Sequence, residues 1–441
     1  MNGEKVNQDY IDLIMKNPKK YYEDYKEAAE RVSNSTAVYK GKPVPFLAHP
    51  LFVTENELLQ FEKIGEVMLS ITNKLTKEYI ENPEFRKEFG FSKLLEELIL
   101  VDNGYDINVP IGRFDIFFKD YQNFKFCELN TDGSSAMNED NQLAKILLES
   151  QALKDFGREY KLSYFELFLS WVDESIKIYE KFSGNNKKPN VAIVDFIESA
   201  TTYEFEEFKK AYEERGYNCI IADPRELKYR DGSLYYEDYK IDLVYRRIVT
   251  FELIERSHEV EDFIQAYKDK AACFIGSIRS QVVHNKIVFK ILHDESTLNL
   301  LSEEEREFVK NHIPDTGVFG GEKATFNKVL NNKEIYIMKP FDLNASRGVY
   351  TGRDFSQEKW EEKLLESWNK DYLYQEYCDP YTRDFVVYED GKPVVKEFKQ
   401  IMGLFLYNEK LAGVYTRIGE NNIISGLTEY YTLPSIKAEK L

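Results

Sequence analysis

The chain has no long apolar run: nowhere in its 441 residues is there a stretch near the ~18 apolar residues that a membrane-spanning helix needs. Its opening segment, MNGEKVNQDYIDLIMKNPKKYY, carries charge every few positions and reads neither as a leader nor as an anchor. Cysteine is scarce. The four cysteines, Cys127, Cys219, Cys273 and Cys378, form no C-x-x-C pair, so a zinc ribbon or disulfide scaffold is not expected and a reducing, cytoplasmic location is. The five histidines, His49, His258, His284, His293 and His312, lack metal-ligand spacing and read as structural or exposed. Positive charge is short as well: 59 Lys+Arg against 77 Asp+Glu leave a net charge of −18, which argues against nucleic acid or an anionic membrane as partner. Neither G-x-x-x-x-G-K-[ST] nor G-x-G-x-x-G occurs, which removes the main support for P-loop, dinucleotide-binding and protein-kinase readings.

Aromatic residues are abundant, with 31 Tyr and 30 Phe beside a 43% hydrophobic and 31% charged composition, so the chain is expected to be globular. Its length predicts two or three domains. Apolar residues at helical spacing over 10–32 and 55–80 predict a helical N-terminal region, 1–100, interrupted by an extended segment at 41–54 with three prolines. Residues 108–130 read as a β-hairpin and 138–156 as a helix, within a unit spanning 101–182. SGNNKKPN at 183–190 is the clearest linker. After it, VAIVDF, a helix closing on Gly216 and YNCIIAD form a β-α-β unit with a small parallel sheet ending near 241–248, in a domain over 190–275. From 276 to 441 the pattern is mixed: a helix at 282–295, strands at 334–340 and 372–378, and a hairpin at 383–399 turning on Asp390-Gly391. The expected fold class is α/β plus α+β.

Three constellations carry chemistry. If strands 112–119 and 124–131 pair symmetrically about Asp120–Asn123, Asp115 faces Glu128, Arg113 faces Asn130, and all four share one face of the hairpin. Two carboxylates about 5 Å apart repel by roughly 3 kcal/mol at an effective dielectric of ~20. A hard divalent cation relieves that cost, and two carboxylates with an amide suit Mg²⁺; pairing with Arg113 and solvent is the plainer alternative. Cys127, between strand residues, is expected to point away from this face. The second constellation is KPFDLNASRGVYTG at 339–352, in which a strand delivers Lys339 to a small-residue loop with Ser346, Arg347 and Gly348, a phosphate cradle unless Lys339 is an ordinary surface lysine. The third is Gln375-Glu376-Tyr377, a strand able to present an edge to a purine, or an ordinary core strand.

Taken together with Lys286, the order Lys286, Lys339, small-residue loop, Gln-Glu-Tyr resembles the nucleotide site of the ATP-grasp superfamily. With GRFDI…FCELNTDG placed before these elements, the chain resembles the circularly permuted branch typified by the synthetase domain of glutathionylspermidine synthases. The likeness is sharpest over 108–140 and 282–420, and no segment resembles that family's amidase domain. The resemblance implies a circularly permuted ATP-grasp fold. It further implies that Asp115, Glu128 and Asn130 hold two Mg²⁺ ions on ATP, with Arg113 beside the transferred phosphoryl group. Lys286 and Lys339 would contact phosphates, Gln375, Glu376 and Tyr377 the adenine and ribose, and the loop 342–348 with Ser346, Arg347 and Gly348 the γ-phosphate. Arg417 would be another active-site arginine, and Ser134 and Ser135 would face the carboxylate substrate. The implied activity is ATP-dependent joining of a small-molecule or peptide carboxylate to an amine through an acyl phosphate, releasing ADP and phosphate. A non-catalytic nucleotide binder, or a ligase with a thiol, hydroxyl or carrier-bound acceptor, are the alternatives. Substrate identity and oligomeric state are not legible in the residues.

Overall fold

The computed structural model describes residues 3–39, 41–343, 346–425 and 429–441. Its centre is an antiparallel sheet in the order Tyr431–Leu433, Lys410–Gly419, Lys392–Tyr407, Ile111–Phe118, Phe124–Asn130, with Thr382–Glu389 pairing to the first half of the long strand Lys392–Tyr407. That long strand is the join. Its second half lies against Ile111–Phe118, Met402 opposite Ile116 and Gly403 opposite Asp115, so segments remote in sequence become neighbours. Asp390 and Gly391 both take positive φ, 48° and 76°, the two-residue turn the D-G pair predicts, and Glu389 faces Lys392 across it.

The hairpin of Ile111–Phe118 and Phe124–Asn130 pairs as expected at its open end, with Arg113 opposite Asn130 and Asp115 opposite Glu128. Below that point the symmetric register fails: Ile116 pairs with Phe126, leaving Cys127 as the extra residue of a bulge. Alternation is therefore broken at Cys127, and its side chain lines the same cleft as Glu128 instead of pointing away.

The predicted helical stretch at 10–32 is two helices, Gly3–Lys16 and Pro18–Ser33; Pro18 lacks the N–H that would extend the first and starts the second instead. Helix Glu55–Glu81 begins in a capping box, Thr54 with Glu57, and lies on the central sheet, with the Phe61 and Phe118 rings 4.7 Å apart. Gly65 allows the close approach, since a Cβ there would stand 3.3 Å from Leu406. The proline-rich stretch ends in strand Leu51–Val53, which pairs in parallel with Ser435–Lys440. The stretch at 138–156 is likewise divided, into Met137–Leu148 and Gln151–Phe156, by the Ser150 cap.

The β-α-β region forms a four-stranded parallel sheet in the order Cys273–Ile275, Leu243–Arg246, Val191–Val194, Cys219–Ala222. A third sheet, antiparallel, runs Thr316–Val318, Tyr372–Glu376, Tyr336–Pro340, Tyr350–Thr351, and closes its own small core on Trp360 and Leu364. Among the described residues no helix is long and apolar enough to cross a membrane.

The expected helix at 282–295 is also interrupted. Gln281–His284 and Val288–Ile291 are single turns separated at Asn285, whose ψ of 129° is extended, and the Lys286 N–H donates to the Phe341 carbonyl instead of to its own helix. Lys286 thus sits at a break between turns, not on a helix.

Candidate active site

One face of the central sheet carries a row in register: Tyr415, Gly403, Asp115 and Glu128, each opposite the next. Gly403 leaves the space through which Arg113 passes, because a Cβ on it would lie 2.5 Å from Arg113 Cδ. Arg113 grips Asp115 with both ends of its fork, Nε to Oδ1 at 2.6 Å and Nη2 to Oδ2 at 2.9 Å, while Nη1 donates to the Ser135 carbonyl. Arg417 Nη2 reaches the same Asp115 Oδ2 at 3.1 Å. The Asn130 amide donates to Glu128 Oε1 at 2.9 Å and to Asp115 Oδ2 at 3.3 Å. Lys286 Nζ stands 3.7 Å from Glu128 and donates to the Leu343 carbonyl, and Lys339 Nζ donates to the Cys127 carbonyl at 3.0 Å.

These contacts set the charges. Burial pushes the Glu128 carboxyl up, but Lys286, the Asn130 hydrogen bond and Lys339 together outweigh it and hold the group at about 2. Burial works against the Arg113 charge, and Asp115 overcomes it, leaving the guanidinium above its ordinary range. The Cys127 thiol is pushed up to about 11 by burial, so it is protonated at neutral pH and not a nucleophile. Asp115, Glu128 and Asn130 carry the hard oxygen donors that suit Mg²⁺, but here the Asn130 NH2 faces the two carboxylates and Arg113 and Arg417 take both Asp115 oxygens. Among the described residues there is no cluster of three or more His, Cys, Asp or Glu placed to hold a metal ion, and this site offers two carboxylates and one amide.

Two clefts meet at this row. The first, about 750 Å³, lies between the central and third sheets. Phe117, Phe126, Ile337, Ile401 and Ile424 make it apolar, Lys286, Lys339 and Glu128 stand in its wall, and Gln375, Glu376 and Tyr377 form one side. The slot is thus apolar along its walls and charged at one end, the polarity of a small-molecule pocket. Gln375 is fixed by its amide donating to Thr316 Oγ1, and Tyr377 by its hydroxyl donating to the Asn422 carbonyl with Arg353 4.1 Å from the ring centre. The N–H groups of Glu376 and Tyr377 donate to the Asp315 and Ile335 carbonyls, and the Glu376 carbonyl accepts from Cys378 Sγ at 3.8 Å.

The second cleft, about 1300 Å³, opens on the other side of Arg113, Glu128 and Asn130 and is walled by Ser134, Ser135, Glu139, Asp195 and Arg247. The clefts share Glu128, Ser346 and Arg417. Ser134 and Ser135 sit on a tight loop where Gly133 and Ala136 take positive φ, 61° and 85°; Ala136 is a non-glycine in the left-handed region, held there by buried neighbours. The loop is anchored by Asp132, which forms a buried ion pair with Arg246 at 2.7 Å and accepts from the Thr250 N–H and hydroxyl.

The structure therefore brings Arg113, Glu128, Asn130, Lys286, Lys339, Gln375, Glu376, Tyr377, Arg417, Ser134, Ser135 and Ser346 to two adjoining clefts, with Asp115 fully buried behind Arg113. It does not bring Arg347 into the walls of either cleft beside Lys286 and Lys339: Arg347 lines a neighbouring recess with Asp195, Glu252, Glu255 and Asp342. Gly348 has its open side toward the Tyr372 hydroxyl, and Asn344 and Ala345 of the same loop lie outside the described residues. Residues that sequence reasoning passed over are Gly403, Tyr415, Asp132, Arg246 and Glu139. A glycine inside a strand is a signal of close backbone approach, and Gly403 carried it; Glu139 looked like any polar helix position.

No family model matches the chain, and no curated protein matches it. Among solved structures it is similar to a glutathione synthetase-like effector from Globodera pallida in apo form, at TM-score 0.58 and 13% identity, over 95% of this chain and 97% of that one. That likeness shows the fold. Similarity is slighter to a D-alanyl-alanine synthetase A from Vibrio cholerae, at TM-score 0.28 and 12% identity over 52% of this chain and 88% of that one, and to the D-cycloserine synthetase DcsG, at 0.28 and 13% over 56% and 90%. Neither of the slighter likenesses carries an argument.

Proposed function

We propose that the chain is an ATP-dependent carboxylate–amine ligase of the circularly permuted ATP-grasp type, forming an amide bond through an acyl phosphate with release of ADP and phosphate. The observation that carries this is the meeting of two clefts at one row of charges: an apolar slot ending in Lys286 and Lys339, and a polar cleft walled by Ser134 and Ser135, with Asp115, Glu128 and Asn130 between them. The fold shared with a glutathione synthetase-like effector supports it, as does the pairing of Ile111–Phe118 with the much later strand Lys392–Tyr407, the join that a permuted order requires.

In this reading the adenine occupies the slot beside Gln375, Glu376 and Tyr377, and Lys286 and Lys339 meet the phosphates. Asp115, Glu128 and Asn130 would hold Mg²⁺, which when bound would supply neutralisation of phosphate charge. Arg113 and Arg417 flank the transferred phosphoryl group from the sheet. The carboxylate substrate lies by Ser134 and Ser135, its oxygen attacks the γ-phosphorus, and the acceptor amine then displaces phosphate from the acyl phosphate. Positioning and charge neutralisation do the work, which is why no protein nucleophile is required. The test offers Mg-ATP, a panel of amino-acid and peptide carboxylates, and hydroxylamine as a general acceptor. ADP, phosphate and a hydroxamate are expected, and Asp115→Asn and Glu128→Gln should abolish them. AMP and pyrophosphate as products would overturn the reading, because they belong to adenylate chemistry.

A further inference from the structure

The polar cleft holds a carboxyl group that phosphoryl transfer leaves unused. Glu139 is on the first turn of helix Met137–Leu148, immediately after the Ser134–Ala136 loop, and its side chain is part of the cleft wall. Tyr415, in the same sheet row as Asp115, donates its hydroxyl to Glu139 Oε2 at 2.9 Å. The Tyr415 ring is also the surface on which the active-site arginines rest, with Arg113 at 5.3 Å and Arg417 at 5.7 Å from its centre. One aromatic side chain thus ties Glu139 to the two guanidiniums that hold Asp115.

We infer that Glu139 is the catalytic base of the second half-reaction: it receives the acceptor's ammonium in the polar cleft and takes its proton before the amine attacks the acyl phosphate. The inference rests on the ligase reading and deepens it, assigning the acceptor to the class of ammonium-bearing amines. The balance is complete within the site. R–NH₃⁺ gives one proton to the Glu139 carboxylate, the free amine forms the C–N bond, the C–O bond to phosphate breaks, and inorganic phosphate carries away the electron pair. The second proton of the amine leaves from the tetrahedral intermediate to phosphate.

Two features favour this carboxyl over the others present. Both oxygens of Asp115 accept from Arg113 and Arg417, and Glu128 is held down against burial by Lys286, the Asn130 hydrogen bond and Lys339. Asp195, on the opposite wall, is likewise pushed up to about 7 by burial, but it accepts from the Phe196 N–H, has Arg247, Glu252 and Arg246 as its charged neighbours, and among the described residues makes no contact with the sheet row through Tyr415 as Glu139 does. Glu139 has an environment matched to the task. Burial pushes it up to about 7, against the Tyr415 hydrogen bond and the more distant Arg417 and Arg113, and with Glu204 adding to the rise. A base poised near neutral pH is the effective one there.

The experiment compares two acceptors on the same acyl phosphate. Hydroxylamine is neutral at pH 7 and needs no base, whereas methylamine and glycine are ammonium ions there. With Glu139→Gln the ratio of amide to hydroxamate formation should fall about 100-fold at pH 7. The native amide rate should rise with pH through about 7 and level off. In the variant that limb should be replaced by a rate still climbing at alkaline pH. Tyr415→Phe removes the hydrogen bond that favours the ionised carboxylate, so its amide limb should move to higher pH while its hydroxamate rate shows no such limb. Mg-ATP affinity, measured by calorimetry, identifies variants whose nucleotide site has collapsed. An unchanged ratio in Glu139→Gln, an equal loss of both products, or the same selective loss in Asp195→Asn instead overturns the inference and leaves the ligase reading standing. Hydroxamate without amide from any of the amines does the same. No hydroxamate from the native chain overturns the ligase reading, and this inference with it.

Discussion

Gly403 lies directly beneath the Arg113 side chain, so close that an added Cβ would stand 2.5 Å from Cδ and 2.8 Å from Nε. The two residues are on adjacent strands, with Gly403 opposite Asp115, and the missing side chain is what lets the guanidinium lie flat across the sheet to grip that carboxylate. Gly403 is a strand residue at ordinary φ, so its role is steric, not conformational.

Gly403→Ala is therefore expected to act on the site. The methyl group must push Arg113 off Asp115, and overpacking of this kind costs about 1–3 kcal/mol. A modest fall in Tm with at least a tenfold loss of Mg-ATP-dependent turnover is the predicted outcome. Native turnover in Gly403→Ala would show that Arg113 works from another position.

The donors on Asp115 and Glu128 predict the order in which ligands bind. Arg113, Arg417, Lys286 and the Asn130 amide occupy the carboxylate oxygens that a cation would use. A divalent ion alone meets a site already neutralised, whereas ATP phosphates give the arginines and lysine another partner. Mn²⁺ binding followed by electron paramagnetic resonance should be weak with the chain alone and at least tenfold tighter with a non-hydrolysable ATP analogue. Equal Mn²⁺ affinity with and without the analogue would exclude this coupling.

How much of this was legible in the residues varies with the range of the forces involved. The hairpin end that carries Asp115 and Glu128 was readable because alternation and pairing fix it locally. The bulge at Cys127 was not: one extra residue shifts the register by one without a composition signal. The break at Asn285 that frees Lys286 depends on the Phe341 carbonyl, which is remote in sequence, so helical periodicity continued straight through it. Pro18, by contrast, was an overlooked local signal for ending a helix. The Asp132–Arg246 ion pair and the Glu139–Tyr415 contact join distant segments, and no spacing within either segment announces them.

Cys127 lines the apolar cleft, where its carbonyl accepts from Lys339 and its half-buried thiol stays protonated at neutral pH. Cys127→Ala should keep turnover within about threefold of native and cost about 1 kcal/mol of stability from the lost packing. Alkylation by iodoacetamide at pH 7.5 should be slow and slower still with Mg-ATP. Rapid inactivation of the native chain traced to Cys127 would sink this assignment.

Asp140, next to Glu139 on the same helix, predicts a pH dependence of stability. Its side chain is fully buried; Oδ1 accepts from the Ser435 N–H, and among the described residues Oδ2 has no hydrogen-bond partner. Burial pushes the carboxyl up from 3.8 to about 8. Below pH 3.8 both folded and unfolded chains hold this proton, so the group is neutral to stability. Between pH 3.8 and about 8 the unfolded chain has released the proton and the folded chain has not, so stability falls as pH rises, and above pH 8 the difference levels off. The loss is on the order of a few kcal/mol. Asp140→Asn cannot ionise and should lose this slope. Urea midpoints of the two chains, measured from pH 5 to 8, should therefore converge or cross in favour of the variant at the alkaline end, whatever fixed cost the buried amide adds. Parallel pH profiles would show that Asp140 is ionised in the folded chain and that the core around Ser435 supplies a partner for its charge.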